Sequence, residues 1–61
     1  MNRVYRHPDG EGEVRFDAET SRLFLLNESE GLSAYASIGP WGLRDVAEKL
    51  LALADEMEAK P

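Results

Sequence analysis

Apolar and polar residues alternate through the first two-thirds of the chain, and then the period changes. Glu13-Val14-Arg15-Phe16-Asp17 alternates strictly, the period-two mark of a half-buried strand. Before it, Arg3 to His7 carries Val4 and Tyr5 and reads as a short strand. The run Pro8-Asp9-Gly10-Glu11-Gly12 then forms a turn, because proline presets φ and glycine tolerates positive φ. Ala18-Glu19-Thr20-Ser21 is a tight connection into Arg22 to Asn27, the most apolar strand. Glu28 to Gly31 turns the chain again. Leu32 to Ile38 alternates, with Leu32, Ala34, Ala36 and Ile38 on one side and Ser33, Tyr35 and Ser37 on the other. Short connections between successive strands predict an antiparallel meander.

From Trp41 to Ala59 the pattern is helical. Leu43, Val46, Ala47, Leu50, Leu53, Ala54 and Met57 fall within one stripe of about 120°. Arg44, Asp45, Glu48, Lys49, Asp55 and Glu56 occupy the remaining arc. Gly39-Pro40 ends the sheet and starts the helix, since proline suits the first helical position. An apolar stripe must pack on something, and within the chain the sheet is the only candidate. The sequence therefore predicts one α+β domain over residues 1–61. Its antiparallel β-meander has three or four strands (about 3–7, 13–17, 22–27 and 32–38), covered on one face by a single C-terminal α-helix (about 41–59).

The covered face is expected to hold Val14, Phe16, Leu23, Leu25, Leu32, Ala34, Ala36 and Ile38. The other would carry Arg3, Tyr5 and His7, then Glu13, Arg15 and Asp17, then Arg22, Phe24 and Leu26, then Ser33, Tyr35 and Ser37. One helix covers one face, so Tyr5, Phe24, Leu26 and Tyr35 should form a partly exposed patch. Such a patch is either an interface or a set of ordinary cross-strand pairs. Both sides of Arg22 to Asn27 are apolar, so the facing of that strand can be reversed. Trp41 lies off the helical stripe and is expected to cap the end of the core, or to anchor a partner.

Charge sharpens this picture. The chain has 61 residues, 12 acids against 7 bases, a net charge of −5, one histidine and no cysteine. So short a chain has no room for a nucleotide-binding fold with a substrate site. Lacking cysteine, it has neither a disulfide framework nor a cysteine zinc site. The bases Arg3, Arg6, Arg15 and Arg22 all fall on expected strands. The acids Asp9, Glu11, Glu13, Asp17, Glu19, Glu28 and Glu30 cluster at the turns, and Asp45, Glu48, Asp55, Glu56 and Glu58 lie along the helix. Asp45 suits the helix dipole. Asp55, Glu56 and Glu58 oppose it, so those acids serve either solubility or a basic partner.

Catalytic chemistry has little to build on. His7 is the only candidate base, and no serine has an evident base near it in sequence. His7 is expected at the surface, at a strand end. Asp9-Gly10-Glu11-Gly12-Glu13 lacks the ligand spacing of a calcium loop, and the glycines do not form a phosphate loop. No cofactor or metal is expected. An open face bearing Tyr5, Phe24, Tyr35 and arginines could stack bases, but a charge of −5 opposes the phosphate contact that nucleic-acid affinity requires. The first ten residues hold no apolar stretch of signal-peptide length, and the longest apolar run, Leu23 to Leu26, is too short to span a bilayer. A cytoplasmic protein without membrane contact is expected, and the chain reads as a complete small gene product.

In size, acidity, lack of cysteine and a small sheet with one helix, the chain resembles the small inhibitors encoded by phages and mobile elements, the anti-CRISPR proteins among them. The resemblance covers general character over the whole chain and rests on no specific residue. It implies a stoichiometric inhibitor that occupies a basic surface meant for nucleic acid. The reading is thus a non-enzymatic interaction protein whose acidic groups Asp45, Glu48, Asp55 and Glu56, and secondarily Glu11 and Glu13, meet a basic protein partner. The alternatives are a homodimeric assembly module joined through Tyr5, Phe24, Leu26 and Tyr35 or through a sheet edge, and a small nucleic-acid binder.

Overall fold

The computed structural model describes residues 1–60. Its elements are β1 (Asn2–Arg6), β2 (Glu13–Asp17), β3 (Arg22–Asn27), a 3₁₀ turn (Glu28–Glu30), β4 (Leu32–Ser37) and α1 (Pro40–Ala59). The strands form one antiparallel sheet in the order β1-β2-β3-β4. The fold is therefore the expected α+β meander with one C-terminal helix.

Each connection has a local cause. In the first hairpin the His7 amide donates to Gly12 O (2.7 Å) and the Gly10 amide to His7 O (2.9 Å), with Gly10 at φ +78°. In the second, Asp17 accepts from the Glu19 amide (3.1 Å) and the Thr20 hydroxyl (3.0 Å), while Ser21 takes a left-handed φ of +55°. Side chains of this kind replace backbone turn bonds. Gly31 closes the 3₁₀ turn at φ +66°, its amide donating to Glu28 O. The Ile38 amide donates to Ser21 O (2.8 Å), which holds the chain beyond β4 against the start of β3.

Opposed residues in an antiparallel pair share a face. The register places Val14 against Leu25, Phe16 against Leu23, Leu25 against Ala34 and Leu23 against Ala36. It places Arg15 against Phe24, Phe24 against Tyr35 and Arg22 against Ser37 on the reverse. One correction falls on β1. The pairing steps from Arg3↔Arg15 to Tyr5↔Val14, so a β-bulge at Val4 moves Tyr5 to the apolar face with Val14. His7 follows, its ring 6.4 Å from that of Tyr5. Tyr5 therefore does not join Phe24, Leu26 and Tyr35 in one patch.

A second correction concerns the helix. It does not lie on the sheet: close approaches run between neighbouring strands and between β4 and the 3₁₀ turn. The molecule measures 39 × 31 × 15 Å, a single layer in its thin direction. None of the described residues is buried. At the junction Pro40 disfavours the helical region for Gly39, and Gly39 is extended at φ −91°, ψ −178°. From there α1 does not reverse over the sheet. Only the first turns of α1 find shelter, with Gly42, Leu43 and Val46 half-buried along with Ile38. A Cβ at position 42 would stand 2.8 Å from Ile38 Cγ1, so glycine permits this approach. Trp41 caps no core; it is 79% exposed, with the Arg44 guanidinium 5.2 Å from its ring centre.

Gly31→Ala should destabilise the sheet by about 1–2 kcal/mol, because an alanine Cβ is strained at its positive φ although the space around it is open. Gly31→Asn should recover part of that loss. Chemical unfolding of the two variants checks the order.

Candidate interaction surfaces

Three surfaces can be built from these elements. The first is the arginine-bearing face of the sheet. Glu13 sits at its centre, bonded by Arg15 Nε at 2.6 Å and paired with Arg3 Nε at 2.8 Å. The bond from Arg15, with the charges of Arg3 and Arg6, holds the Glu13 carboxyl below its ordinary value of 4.5. Further along, Phe24 and Tyr35 stand 5.4 Å apart across β3 and β4, and the Arg22 guanidinium lies 4.5 Å from the Tyr35 ring centre. Aromatic and cation–π contacts of this sort contribute about 0.5–1.5 kcal/mol each. This face is polar and internally paired. A depression of about 100 Å³ between Arg3, Arg6, Arg15, Glu11, Glu13 and Leu26 interleaves both signs of charge.

The second surface is the reverse of the sheet. Asn2, Tyr5, Val14, Phe16, Leu23, Leu25, Asn27, Leu32, Ala34 and Ala36 share it by register, and none is charged. Leu25 is 57% exposed and Leu32 60%. The hollow between Leu23, Leu25, Ala34 and Ala36 is apolar, and the one between Tyr5, Val14, Leu25 and Asn27 is edged by His7, Asp9 and Glu11; both are shallow and open.

The third surface is the helix. Its apolar stripe is uncovered beyond the first turns: Leu50 is 58% exposed and Met57 74%. On the opposite arc Asp45, Glu48, Asp55 and Glu56 are all exposed. Asp45 accepts from Lys49 Nζ at 3.0 Å, one turn on. Asp55 and Glu56 have no ion pair among the described residues, and the last turn of the helix holds no base.

The acids expected to act together are thus divided. The four helix acids lie on one exposed arc. Glu11 stands in the first turn, where its amide donates to Asp9 Oδ1 (2.8 Å), and Glu13 is engaged by arginine. Leu26 lies beside Arg3 and Glu13, and Phe24 and Tyr35 form the aromatic pair. The position of Tyr5 was not foreseeable from alternation, because nothing in Arg3-Val4-Tyr5 marks a bulge.

His7 Nδ1 lies 3.0 Å from Asp9 Oδ1, and the Ser29 hydroxyl donates to Asn27. No serine is hydrogen-bonded to His7 among the described residues. They also contain no group of three or more side chains placed to hold a metal ion, and no helix long and apolar enough to cross a membrane. Comparison of the chain with family models, with curated proteins and with solved structures returns no match.

Three carboxyls are held below their ordinary values: Asp9 by the Glu11 amide and His7, Glu13 by Arg15, and Asp17 by Thr20 and the Glu19 amide. A depressed folded-state value contributes stability above the unfolded-state value, which is lost as the pH falls through the folded one. Stability should therefore decline as the pH drops below 4.5, the ordinary value for Glu13. Glu13→Gln should be less stable at neutral pH, and its difference from the unaltered chain should close in acid. Urea unfolding across pH 2–7 measures both, with the pH range set by ordinary carboxyl values.

Proposed function

We propose that the chain is a non-enzymatic protein-interaction module, and that its apolar sheet face and helical stripe exist to be covered by polypeptide. One observation supports this above others. Two extended apolar surfaces lie open on a chain with no buried residue among those described. Exposed apolar area of this extent marks an interaction site. The arginine face is the poorer candidate, since Glu13 already engages Arg3 and Arg15, and Tyr35 engages Arg22.

The dissociated chain should bind an apolar dye, and association should displace it. Sedimentation over a range of concentrations, run beside dye fluorescence, tests this. A chain that stays monomeric, binds no dye and unfolds cooperatively would overturn the reading, because its apolar surfaces would then be covered from within.

A second reading concerns charge, and the helix C-terminus favours it. Asp55, Glu56 and Glu58 stand where the dipole disfavours them, with no base in the last turn. Asp55 and Glu56, with Asp45 and Glu48, give the assembled module an outward acidic arc for a basic partner surface, including one that handles nucleic acid. Asp55→Lys and Glu56→Lys should each raise helix stability by about 0.3–1 kcal/mol in thermal unfolding. Association with a basic partner that survives reversal of Asp45, Glu48, Asp55 and Glu56, or that ignores salt, would remove this reading.

A further inference from the structure

The occupant of the two apolar surfaces can be argued from their shapes. The chain exposes 5175 Å², whereas a compact monomer of its mass exposes about 4,000 Å². Its radius of gyration is 13.1 Å, against about 10.5 Å for a compact chain of this length. The excess is about 1,200 Å² per chain, or about 2,400 Å² for two, which falls in the range of obligate homodimer interfaces.

The two surfaces also match each other. From Leu43 to Met57 the helical stripe runs about 21 Å at the rise of an α-helix. A six-residue strand such as β3 runs about 20 Å. The strands put no charged side chain on this face, and the acids Asp9 and Glu11 border it only at the β1–β2 turn, so a helix laid across β3 and β4 can keep its acidic arc in water. Ala34 and Ala36 sit beside Leu25 and Leu23 and leave a trough between β3 and β4 for larger side chains. A foreign helix would cover the sheet and leave this chain's own helix bare. A foreign sheet would do the reverse. A second copy covers both at once, through a closed two-fold contact.

We propose that the partner is a second copy of this chain, and that the two copies exchange helices: α1 of each packs on the Val14–Leu25–Ala34 face of the other. This rests on the interaction reading above and names its partner. The extended Gly39-Pro40 junction directs the exchange, since it carries α1 away from its own sheet. Short, stiff hinges of this kind favour swapping over folding back.

The chain contains no cysteine, so introduced thiols report unambiguously. Ala34→Cys and Leu50→Cys chains, mixed in equal amounts and oxidised, should form the mixed disulfide between copies. The double variant Ala34→Cys/Leu50→Cys should close into a covalent dimer. A disulfide within one chain would overturn the exchange, and so would dimers trapped only as Leu50→Cys with itself. The unaltered protein gives an independent measurement. In a dimer assembled from differently isotope-labelled copies, methyl contacts between Leu50 or Leu53 and Ala34 or Ala36 should appear between the labels. Their appearance only within one label would overturn the exchange. A concentration-independent monomer that binds dye would overturn the second copy while leaving the interaction reading intact.

Discussion

Everything in this molecule depends on where the apolar stripe of the helix can go. Most helical stability in proteins comes from packing an apolar face, and in small domains sheet and helix normally support each other by burying a shared one. Here they stay apart on either side of the extended Gly39-Pro40 junction. The strands hold their ladder, turns and cross-strand pairs, while the helix is sheltered only where Gly42 lets it approach Ile38. Both halves are well formed, and the apolar surface needed to join them faces outward.

The sheet separates its two faces sharply. One carries the strand arginines and is partly paired: Glu13 lies between Arg3 and Arg15, and Tyr35 contacts both Phe24 and Arg22. Such a face can remain in water without a partner. The other has no charge and no cover. The contrast is one of cover: polar groups of the first face engage one another, while apolar side chains of the second, such as Leu25 and Leu32, stand open.

Strand and helix positions were legible in the sequence almost to the residue, because alternation in Glu13–Asp17 and Leu32–Ser37 and the stripe in Leu43–Met57 are strong local signals. The facing of β3, apolar on both sides, was settled by its neighbours, since Val14 and Phe16 on β2 have unambiguous polar alternates. Two features were not legible. The bulge at Val4 depends on how β1 meets β2, and no residue type in Arg3-Val4-Tyr5 announces it. The separation of helix from sheet is a matter of direction. Gly39-Pro40 marks a boundary plainly, but its conformation decides whether the chain reverses there. A stripe that must be covered does not say that its own sheet will cover it.

The two edges of the sheet differ in a way that bears on how the protein behaves when crowded. The β1 edge is broken by the bulge at Val4 and carries Arg3 and Arg6, devices that discourage another strand from pairing there. The β4 edge, Leu32-Ser33-Ala34-Tyr35-Ala36-Ser37, is regular, six residues long and without a charge. Its outward amides and carbonyls form an open template. Of the two edges, β4 is the one built to accept a further strand, and it lies next to the helix junction.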